Sequence, residues 1–380
     1  MCVKFAFCMK IPGIGIYFMC GEEYCVEIKN RCCLSPDNIC FSSVRLPRRV
    51  RCFNKFPLET FRNMWYHIMN KYFFRRIIVQ RIITMKISEI LKCGVPSLSY
   101  EVFPPKTDTA FDSVKSATEE IASLAPSFMS VTYGAGGGTS RYTLDIAEDI
   151  EKRFGIPMLA HLTCVSSTRE TVKEQIRLMK EKGISNVMAL RGDLTPELEA
   201  SDRSTWVYKH ASDLVRELLE AGDFCIGGAC YPEIHPESRN QKDDIRHLKE
   251  KVDAGTEFLT TQMFFDNNLL YNFLYKLREA GITVPVVAGI MPITSANQVE
   301  RAIKLSGSFM PQRFKSLVDR FGHDNRAMMQ AGIAYATDQI IDLFANGVTN
   351  VHIYTMNKPE VARRIRGNLS DIIGLEDTRL

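Results

Sequence analysis

Polar and ionisable residues recur at the carboxyl ends of the predicted strands, and their types could perform acid–base and binding chemistry. The carboxyl groups are Glu101, Asp193 and Glu233, and the imidazoles are His161 and His235. Enzymes often use carboxylic acids and imidazoles to move protons, provided that their pKa values lie near the working pH. The remaining strand-end residues are Thr132, Tyr133, Arg191, Tyr231, Gln262 and Tyr354. Their concentration at one end of successive strands predicts a catalytic site.

The elements that must position these residues alternate between strand and helix. Strands that alternate with helices pair in parallel through right-handed crossovers, and eight such units close into a (β/α)8 barrel with its active site at the strand carboxyl ends. The sequence therefore predicts an α/β protein of the TIM-barrel class. The predicted strands are Leu98–Phe103, Phe128–Tyr133, Pro157–Cys164, Asn186–Asp193, Cys225–Glu233, Phe258–Asp266, Pro285–Met291 and Asn350–Asn357.

Between the predicted strands, apolar residues recur at the spacing of one face of a helix, which predicts helices there. The long span between strands seven and eight predicts two added helices, Pro311–Phe321 and Asn325–Ala345. Glycines follow the helical stretches and precede the strands, which is where a left-handed helix cap is common. These glycines are Gly155, Gly183, Gly222, Gly255, Gly281 and Gly347.

Charge and cysteine content divide the chain near Met85. Residues 1–84 hold 14 Lys/Arg against 5 Asp/Glu, whereas the rest holds 34 against 39, and eight of the twelve cysteines lie in the first segment. We expect residues 1–84 to be a basic, cysteine-rich extension that is disordered or not native, and residues 85–380 to be the catalytic domain. The later cysteines lack CxxC spacing, which favours reduced thiols and a cytoplasmic protein.

Several chemistries are disfavoured. The cysteine gaps between Cys20 and Cys40 match no zinc-ligand spacing, and neither HxH nor HExxH occurs, so no metal is expected. No apolar run reaches the ~20 residues that span a bilayer. The basic extension could bind nucleic acid, but a solvated tail is the simpler interpretation. The loop Gly134–Thr139 is not GxGxxG, and phosphate binding and a mobile turn both remain open for it.

Nine motifs in collinear order carry a resemblance to a known family. From about Met85 to the C-terminus, the chain closely resembles methylenetetrahydrofolate reductases of the bacterial flavoprotein type, whereas residues 1–84 resemble no part of them. The motifs are SYEVFPPK (Ser99–Lys106), SVTYGAGG (Ser130–Gly137), HLTC (His161–Cys164), ALRGD (Ala189–Asp193), YPEIHPE (Tyr231–Glu237), KVDAG (Lys251–Gly255), TQMFFD (Thr261–Asp266), GIMPI (Gly289–Ile293) and YTMNK (Tyr354–Lys358).

The resemblance implies a barrel that binds FAD, accepts electrons from NADH or NADPH, and reduces 5,10-methylenetetrahydrofolate to 5-methyltetrahydrofolate. It implies that Glu101 is the general acid that protonates the substrate N10, and that Asp193 acts on both flavin and pterin. Gln262, Gln298 and Lys358 match folate-contacting positions. The implied FAD residues are Thr132, Tyr133, Ala135, His161, Arg191, Gly192, Asp193, Ala211, Tyr231, His235, Asp244, His247 and Lys251. We expect a homo-oligomer without nucleic-acid or membrane partners, and a partner protein that supplies electrons stays open.

The sequence departs from the family pattern at three positions, and several alternative interpretations stay open. His210 and His247 replace Tyr and Asn of some relatives, and Lys358 replaces an Arg, which loses bidentate geometry. Glu101 could instead form a buried ion pair, for example with Arg191, and Asp193 could be a helix cap. A folate-binding methyltransferase barrel would use a similar set of residues without flavin.

Overall fold

The computed structural model describes residues 15–19, 25–29, 85–105, 107–133, 140–165, 167–194 and 200–374. The chain divides into two units, Met1–Phe73 and Phe74–Leu380. In the first unit, β1 (Gly15–Met19) pairs antiparallel with β2 (Cys25–Lys29). The other expectations for residues 1–84 lie outside the described residues, as do Ala135 and the loop Gly134–Thr139.

Eight parallel strands close into a barrel in the second unit, which confirms the predicted fold class. Going round the barrel, the order is β10, β3, β4, β5, β6, β7, β8 and β9, so each strand pairs with its neighbours in sequence and the last pairs with the first. The strands are β3 (Ser97–Val102), β4 (Met129–Val131), β5 (Met158–Thr163), β6 (Asn186–Leu190), β7 (Cys225–Cys230), β8 (Phe258–Thr261), β9 (Val286–Ile290) and β10 (Asn350–Tyr354).

Helices surround the barrel, and both added helices between the last two strands are confirmed. Apolar spacing over Trp206–Ala221 predicts a helix there, but its start is wrong, because the α-helix begins only at Ala211, after a short 3-10 turn at Arg203–Thr205. The helices are α1 (Ile87–Leu91), α2 (Phe111–Ala122), α3 (Ser140–Phe154), α4 (Arg169–Lys182), α5 (Ala211–Ala221), α6 (Gln241–Asp253), α7 (Asn267–Glu279), α8 (Ala296–Ser306), α9 (Gln312–Phe321), α10 (Asn325–Ala345) and α11 (Pro359–Asn368).

The six glycines predicted to follow helices adopt two different kinds of backbone conformation. Gly155, Gly183, Gly281 and Gly347 have φ between 69° and 80°, which is the left-handed conformation expected after a helix. Gly222 and Gly255 have φ of 156° and 120° and are not left-handed helix caps. At Gly255 a Cβ would also lie 2.3 Å from the Leu219 side chain, so close packing there favours glycine as well.

Strand register defines which residues share a layer inside the barrel. Glu101 pairs with Ser130 on β4 and with Tyr354 on β10. With the stagger of an eight-stranded barrel, alternate strands contribute four residues to each interior layer. The layer of Glu101 also contains His161, Ala229 and Gly289, and the layer beneath it contains Ser130, Met188, Thr260 and His352.

Helix α1 closes the amino-terminal end of the barrel, which we call the floor. Ile87 and Leu91 are buried against an interior apolar cluster that includes Phe128 and Phe258. The Ile87 N–H donates to Asn186 Oδ1 at 2.9 Å, and Asn350 Nδ2 donates to the Leu91 carbonyl at 3.1 Å. Apolar packing and hydrogen bonds therefore hold α1 in place. The opposite end of the barrel, at the strand carboxyl ends, is called the mouth.

Candidate active site

Glu101 is a buried carboxyl group near the mouth. It lies on β3 and is 8% exposed. Burial raises the pKa of Glu101 to about 8, and a hydrogen bond with the Ser130 hydroxyl, 3.4 Å from Oε2, acts in the opposite direction. At neutral pH the group is therefore mainly the neutral acid. A carboxylic acid that retains its proton at pH 7 can serve as a proton donor.

Two buried histidines flank this carboxyl group. His161 Nε2 lies 3.7 Å and His352 Nε2 4.0 Å from Glu101 Oε2. Burial lowers the pKa of His161 to about 4 and that of His352 to about 3, with His161 adding to the second effect. Both rings are neutral at pH 7, so neither provides a cationic partner. The alternative of an ion pair with Arg191 is wrong, because that guanidinium binds Glu237.

His352 forms a hydrogen-bonded chain with two serines. Its Nδ1 lies 2.7 Å from Ser99 Oγ, whose hydroxyl donates to the Val351 carbonyl at 3.0 Å. This arrangement makes Nδ1 the donor and leaves Nε2 to accept from Ser130 Oγ at 3.0 Å. The same Ser130 hydroxyl also lies 3.4 Å from Glu101 Oε2, where its hydrogen bond lowers the pKa of Glu101, so the raised pKa comes from burial.

Sequence reasoning assigned no role to these three residues, although Ser99 and Ser130 stand inside quoted motifs. A signal was available in the spacing: Ser99 and Glu101 are two residues apart on one strand, so they face the same side. His352 lies two residues before Tyr354 and shares its side for the same reason. Polar residues at this period inside a barrel strand indicate a polar interior.

Tyr354 crosses the interior above the Glu101 layer. Its hydroxyl donates to the Thr261 carbonyl on β8 at 2.5 Å. A Cβ at Gly289 would lie 2.3 Å from that carbonyl oxygen and 2.4 Å from the Tyr354 hydroxyl oxygen. Only glycine fits at this position without a shift, so Gly289 provides the room that the Tyr354 side chain occupies.

The residues expected to bind a diphosphate and a flavin ring gather just beyond β6 and β7. Arg191 Nη1 and Nη2 lie 2.8 and 2.6 Å from the two carboxylate oxygens of Glu237, a bidentate pair that raises the pKa of Arg191. The Tyr231 and His235 rings meet edge to face with centroids 4.6 Å apart. The His235 N–H donates to Asp244 Oδ2 at 3.3 Å, which orients the loop. The structure thus brings these predicted residues together.

Asp193 and Gly192 lie on the same rim, in the loop after β6. Asp193 is exposed, and its charge raises the pKa values of Arg191 and Tyr231 as a minor contribution beside hydrogen bonding and burial. Gly192 has φ of 97°, and a Cβ there would lie 3.1 Å from Thr163 Cβ. The strand predicted to reach Asp193 ends at Leu190, so these residues belong to a loop.

The other predicted FAD residues have different surroundings. Lys251 on α6 donates to the Ala229 carbonyl inside the barrel wall, and burial lowers its pKa. Thr132 and Tyr133 follow β4, and Ala211 is the first residue of α5. His247 is exposed, with its Nε2 2.8 Å from a guanidinium nitrogen of Arg246.

Two of the three predicted folate residues meet at one threonine. Lys358 Nζ donates to Thr294 Oγ1 at 2.6 Å, and Thr294 donates to Gln298 Oε1 through its hydroxyl at 3.0 Å and its N–H at 2.7 Å. Gln262 lies elsewhere on the rim, where its Oε1 accepts from the Met263 N–H at 2.9 Å and its side chain hydrogen bonds to Tyr231. Thr294 is a linking residue that sequence reasoning did not identify.

The part of the chain that the structure describes lacks both a metal-binding cluster and a membrane-spanning helix. There, no three His, Cys, Asp or Glu side chains form a group that could hold a metal ion. Among the same residues, no helix is both long and apolar enough to cross a membrane.

The fold and the site define a (β/α)8-barrel enzyme with a neutral carboxylic acid at its mouth. Residues 86–370 match the family model described as methylenetetrahydrofolate reductase. The chain belongs to this family. It is therefore an oxidoreductase of folate metabolism, and the family assignment supports reduction of methylenetetrahydrofolate to methyltetrahydrofolate.

Individual relatives agree with the family assignment. A 5,10-methylenetetrahydrofolate reductase of Pectobacterium carotovorum is 35% identical over 272 residues, covering 72% of this chain and 89% of the relative. The Escherichia coli protein of the same name is 34% identical, with 72% and 90% covered. The Arabidopsis thaliana methylenetetrahydrofolate reductase (NADH) 1 is 31% identical, with 75% of this chain but 50% of the relative covered.

A solved structure shares the fold at much lower sequence identity. It is an uncharacterized protein from Clostridium thermocellum that binds two copies of 5-methyl-5,6,7,8-tetrahydrofolic acid. The match has a TM-score of 0.57 and 15% identity, and it covers 77% of this chain and all of the other. At this identity the similarity supports the barrel fold alone.

Proposed function

We propose that this chain is a flavoprotein that reduces 5,10-methylenetetrahydrofolate to 5-methyltetrahydrofolate with electrons from NADH or NADPH by way of bound FAD. The observation that carries the proposal is the buried carboxyl group of Glu101, whose pKa is raised to about 8. Opening the five-membered ring of the substrate requires a proton on N10. A neutral acid at the barrel mouth can supply that proton at physiological pH.

Glu101 acts as the general acid, and its burial maintains its proton. When the acid ionises, the Ser130 hydroxyl can turn from His352 Nε2 toward Glu101 Oε2, because both acceptors lie within 3.4 Å of Ser130 Oγ. His352 and Ser99 then limit how far the serine and carboxyl groups can move. We assign His352 as a positioning residue and Glu101 as the catalytic residue.

The FAD residues suit an anionic, planar cofactor. The fork geometry with which Arg191 holds both oxygens of Glu237 also suits a phosphate. Lys251 and His235 add donors near this group, and Tyr231 offers a planar surface. A flavin bound there would carry electrons from the nicotinamide to the folate.

The folate residues present complementary polar groups on the rim, with Lys358 and Gln298 at Thr294 and Gln262 beside Tyr231. Amide side chains such as Gln262 and Gln298 offer both a donor and an acceptor, which suits the edge of a pterin. Lys358 can offer its ammonium group to a folate carboxylate, although it already donates to Thr294. The family assignment of residues 86–370 supports a folate site in this barrel.

The proposal also covers the cellular location, the oligomeric state and the electron donor of the enzyme. We place it in the cytoplasm, because Cys93, Cys164, Cys225 and Cys230 are free thiols in a protein of folate metabolism. Assembly as a homo-oligomer also remains part of the proposal. NADH and NADPH are both retained as donors, since only some relatives, including those of Arabidopsis and maize, carry NADH in their names.

The test is an absorbance spectrum of the purified chain followed by two anaerobic titrations. We expect flavin absorbance after gentle purification or FAD addition, bleaching with NADH or NADPH, and recovery of the oxidised spectrum on addition of methylenetetrahydrofolate. A protein that binds folate but no flavin would instead support the methyltransferase alternative. An Arg191→Lys variant retains charge but loses the fork, so it should bind FAD more weakly if the diphosphate assignment is right.

A further inference from the structure

In the two barrel layers formed by Glu101 and the residues beneath it, two buried polar atoms have no hydrogen-bond partner within the described part of the chain. They are Thr260 Oγ1 and His161 Nε2, on side chains of residues that are 6% and 8% exposed. A buried hydroxyl or imidazole nitrogen without a partner is costly, and native proteins commonly satisfy such groups with an internal water. Both atoms therefore indicate a missing partner in the barrel interior.

The strand register places the two atoms around the same space. Thr260 belongs to the layer directly beneath Glu101 and His161. The strands on either side of Thr260 contribute only Ala229 and Gly289 to the Glu101 layer. The Tyr354 side chain lies over Gly289 and bonds to the Thr261 carbonyl, which covers this region from the mouth. Ala229, the register partner of Thr260, contributes only a methyl group on that side.

We propose that one ordered water binds in this space, between Thr260 Oγ1 and His161 Nε2, and also contacts the Glu101 carboxyl group. The 3.7 Å between His161 Nε2 and Glu101 Oε2 is too long for a direct hydrogen bond. A shared water satisfies both groups, and the hydroxyl of Thr260 provides its third partner. Three polar partners are typical of a buried water.

The water has a consequence for Glu101 that rests on the proposed function. After Glu101 gives up its proton, the carboxylate needs hydrogen-bond donors, and the single Ser130 hydroxyl proton is shared with His352. The water supplies a second donor. Thr260 is then a positioning residue that acts on the acid through the water, and the titratable groups that face Glu101 are His161, His352 and Tyr354.

A high-resolution crystal structure of the full chain tests the site directly. We expect an isolated density peak within hydrogen-bond distance of Thr260 Oγ1 and of either His161 Nε2 or a Glu101 oxygen. The peak should vanish in Thr260→Val, which keeps the shape but removes the hydroxyl, and remain in Thr260→Ser. An empty site, or a Thr260 hydroxyl that donates to a backbone carbonyl while His161 bonds directly to Glu101, would overturn the proposal.

The second measurement is the titration of Glu101 by infrared spectroscopy, using the protonated carboxyl band that disappears in Glu101→Gln. Without the water the carboxylate loses a donor, so the Glu101 midpoint in Thr260→Val should rise by about one pH unit, a tenfold change in the ionisation constant. Thr260→Ser should match the wild type. An unchanged midpoint in Thr260→Val contradicts the inference. Neither measurement uses folate or nicotinamide, so a failure of the reductase assignment would be recognised separately.

Discussion

On the proposed mechanism, replacing Glu101 by glutamine removes the proton donor while preserving the shape of the site. The magnitude follows from the raised pKa of about 8. At pH 7 such a group is roughly 90% protonated, whereas a carboxyl group at its ordinary pKa of 4.5 would be only about 0.3% protonated, so burial raises the population of acid about 300-fold. The variant has no titratable proton at this position at any pH.

Separate measurement of the two half-reactions provides the assay. In Glu101→Gln, reduction of the bound flavin by the nicotinamide should stay close to the wild-type rate, since no proton from Glu101 is needed there. Reoxidation by methylenetetrahydrofolate should slow by about 10² to 10⁴, the usual contribution of a general acid. Stopped-flow absorbance at the flavin band resolves both steps. An equal decline of the two half-reactions would refute the reasoning and make Glu101 a structural residue.

The pH dependence of Glu101 has the same origin. Because the acid form is the active one, the wild-type folate half-reaction should fall as the pH rises through about 8, and the variant should lack this step. Protein stability should depend on pH in the same direction, because folding raises the pKa of Glu101. The contribution of Glu101 to the free energy of unfolding is fully present below its unfolded pKa near 4.5, and it is lost as the pH rises through about 8. In denaturant unfolding between pH 4 and 9, the wild type should lose more stability than Glu101→Gln. A smaller loss remains in the variant, because burial also raises the pKa of Glu151 to about 7.

Three further predictions concern other parts of the chain. The fragment Met85–Leu380 should bind FAD and retain turnover within a few-fold, and loss of folding on truncation would show that residues 1–84 are a required domain. Asp193→Asn removes a negative charge at the rim, so reductive titration should give a higher flavin midpoint potential and folate turnover should slow; an unchanged potential with normal turnover would contradict this. Gly289→Ala should displace Tyr354 from the Thr261 carbonyl and lower the melting temperature, whereas an unchanged temperature would mean that β9 can shift at little cost.

The barrel could be predicted from sequence because each strand and helix follows a local apolar pattern. The added helices α9 and α10 were found within one residue of their observed bounds for the same reason. Strand ends were predicted too late, since Arg191, Tyr231 and Gln262 continue the pattern but no longer pair in the sheet. Pairing depends on neighbouring strands, which local periodicity does not report.

Site residues that lie in a family motif could be predicted from the sequence. Residues whose chemistry depends on burial were harder to predict. Glu101 and Arg191 were identified, but the partner of Arg191 proved to be Glu237, which lies 46 residues away in sequence. His352 and Ser99 were missed as partners because they are 253 residues apart and meet only when β10 closes on β3. Barrel closure is a long-range event, and a pattern of single residues carries little information about it.

The closed floor has a consequence for the order of events during turnover. Helix α1 seals the barrel beneath the polar interior, so molecules can reach Glu101 only from the mouth. If nicotinamide and folate both react at one flavin there, they compete for the same volume and must occupy it in turn. The enzyme would then store the two electrons between visits, and an excess of either reactant would delay the other.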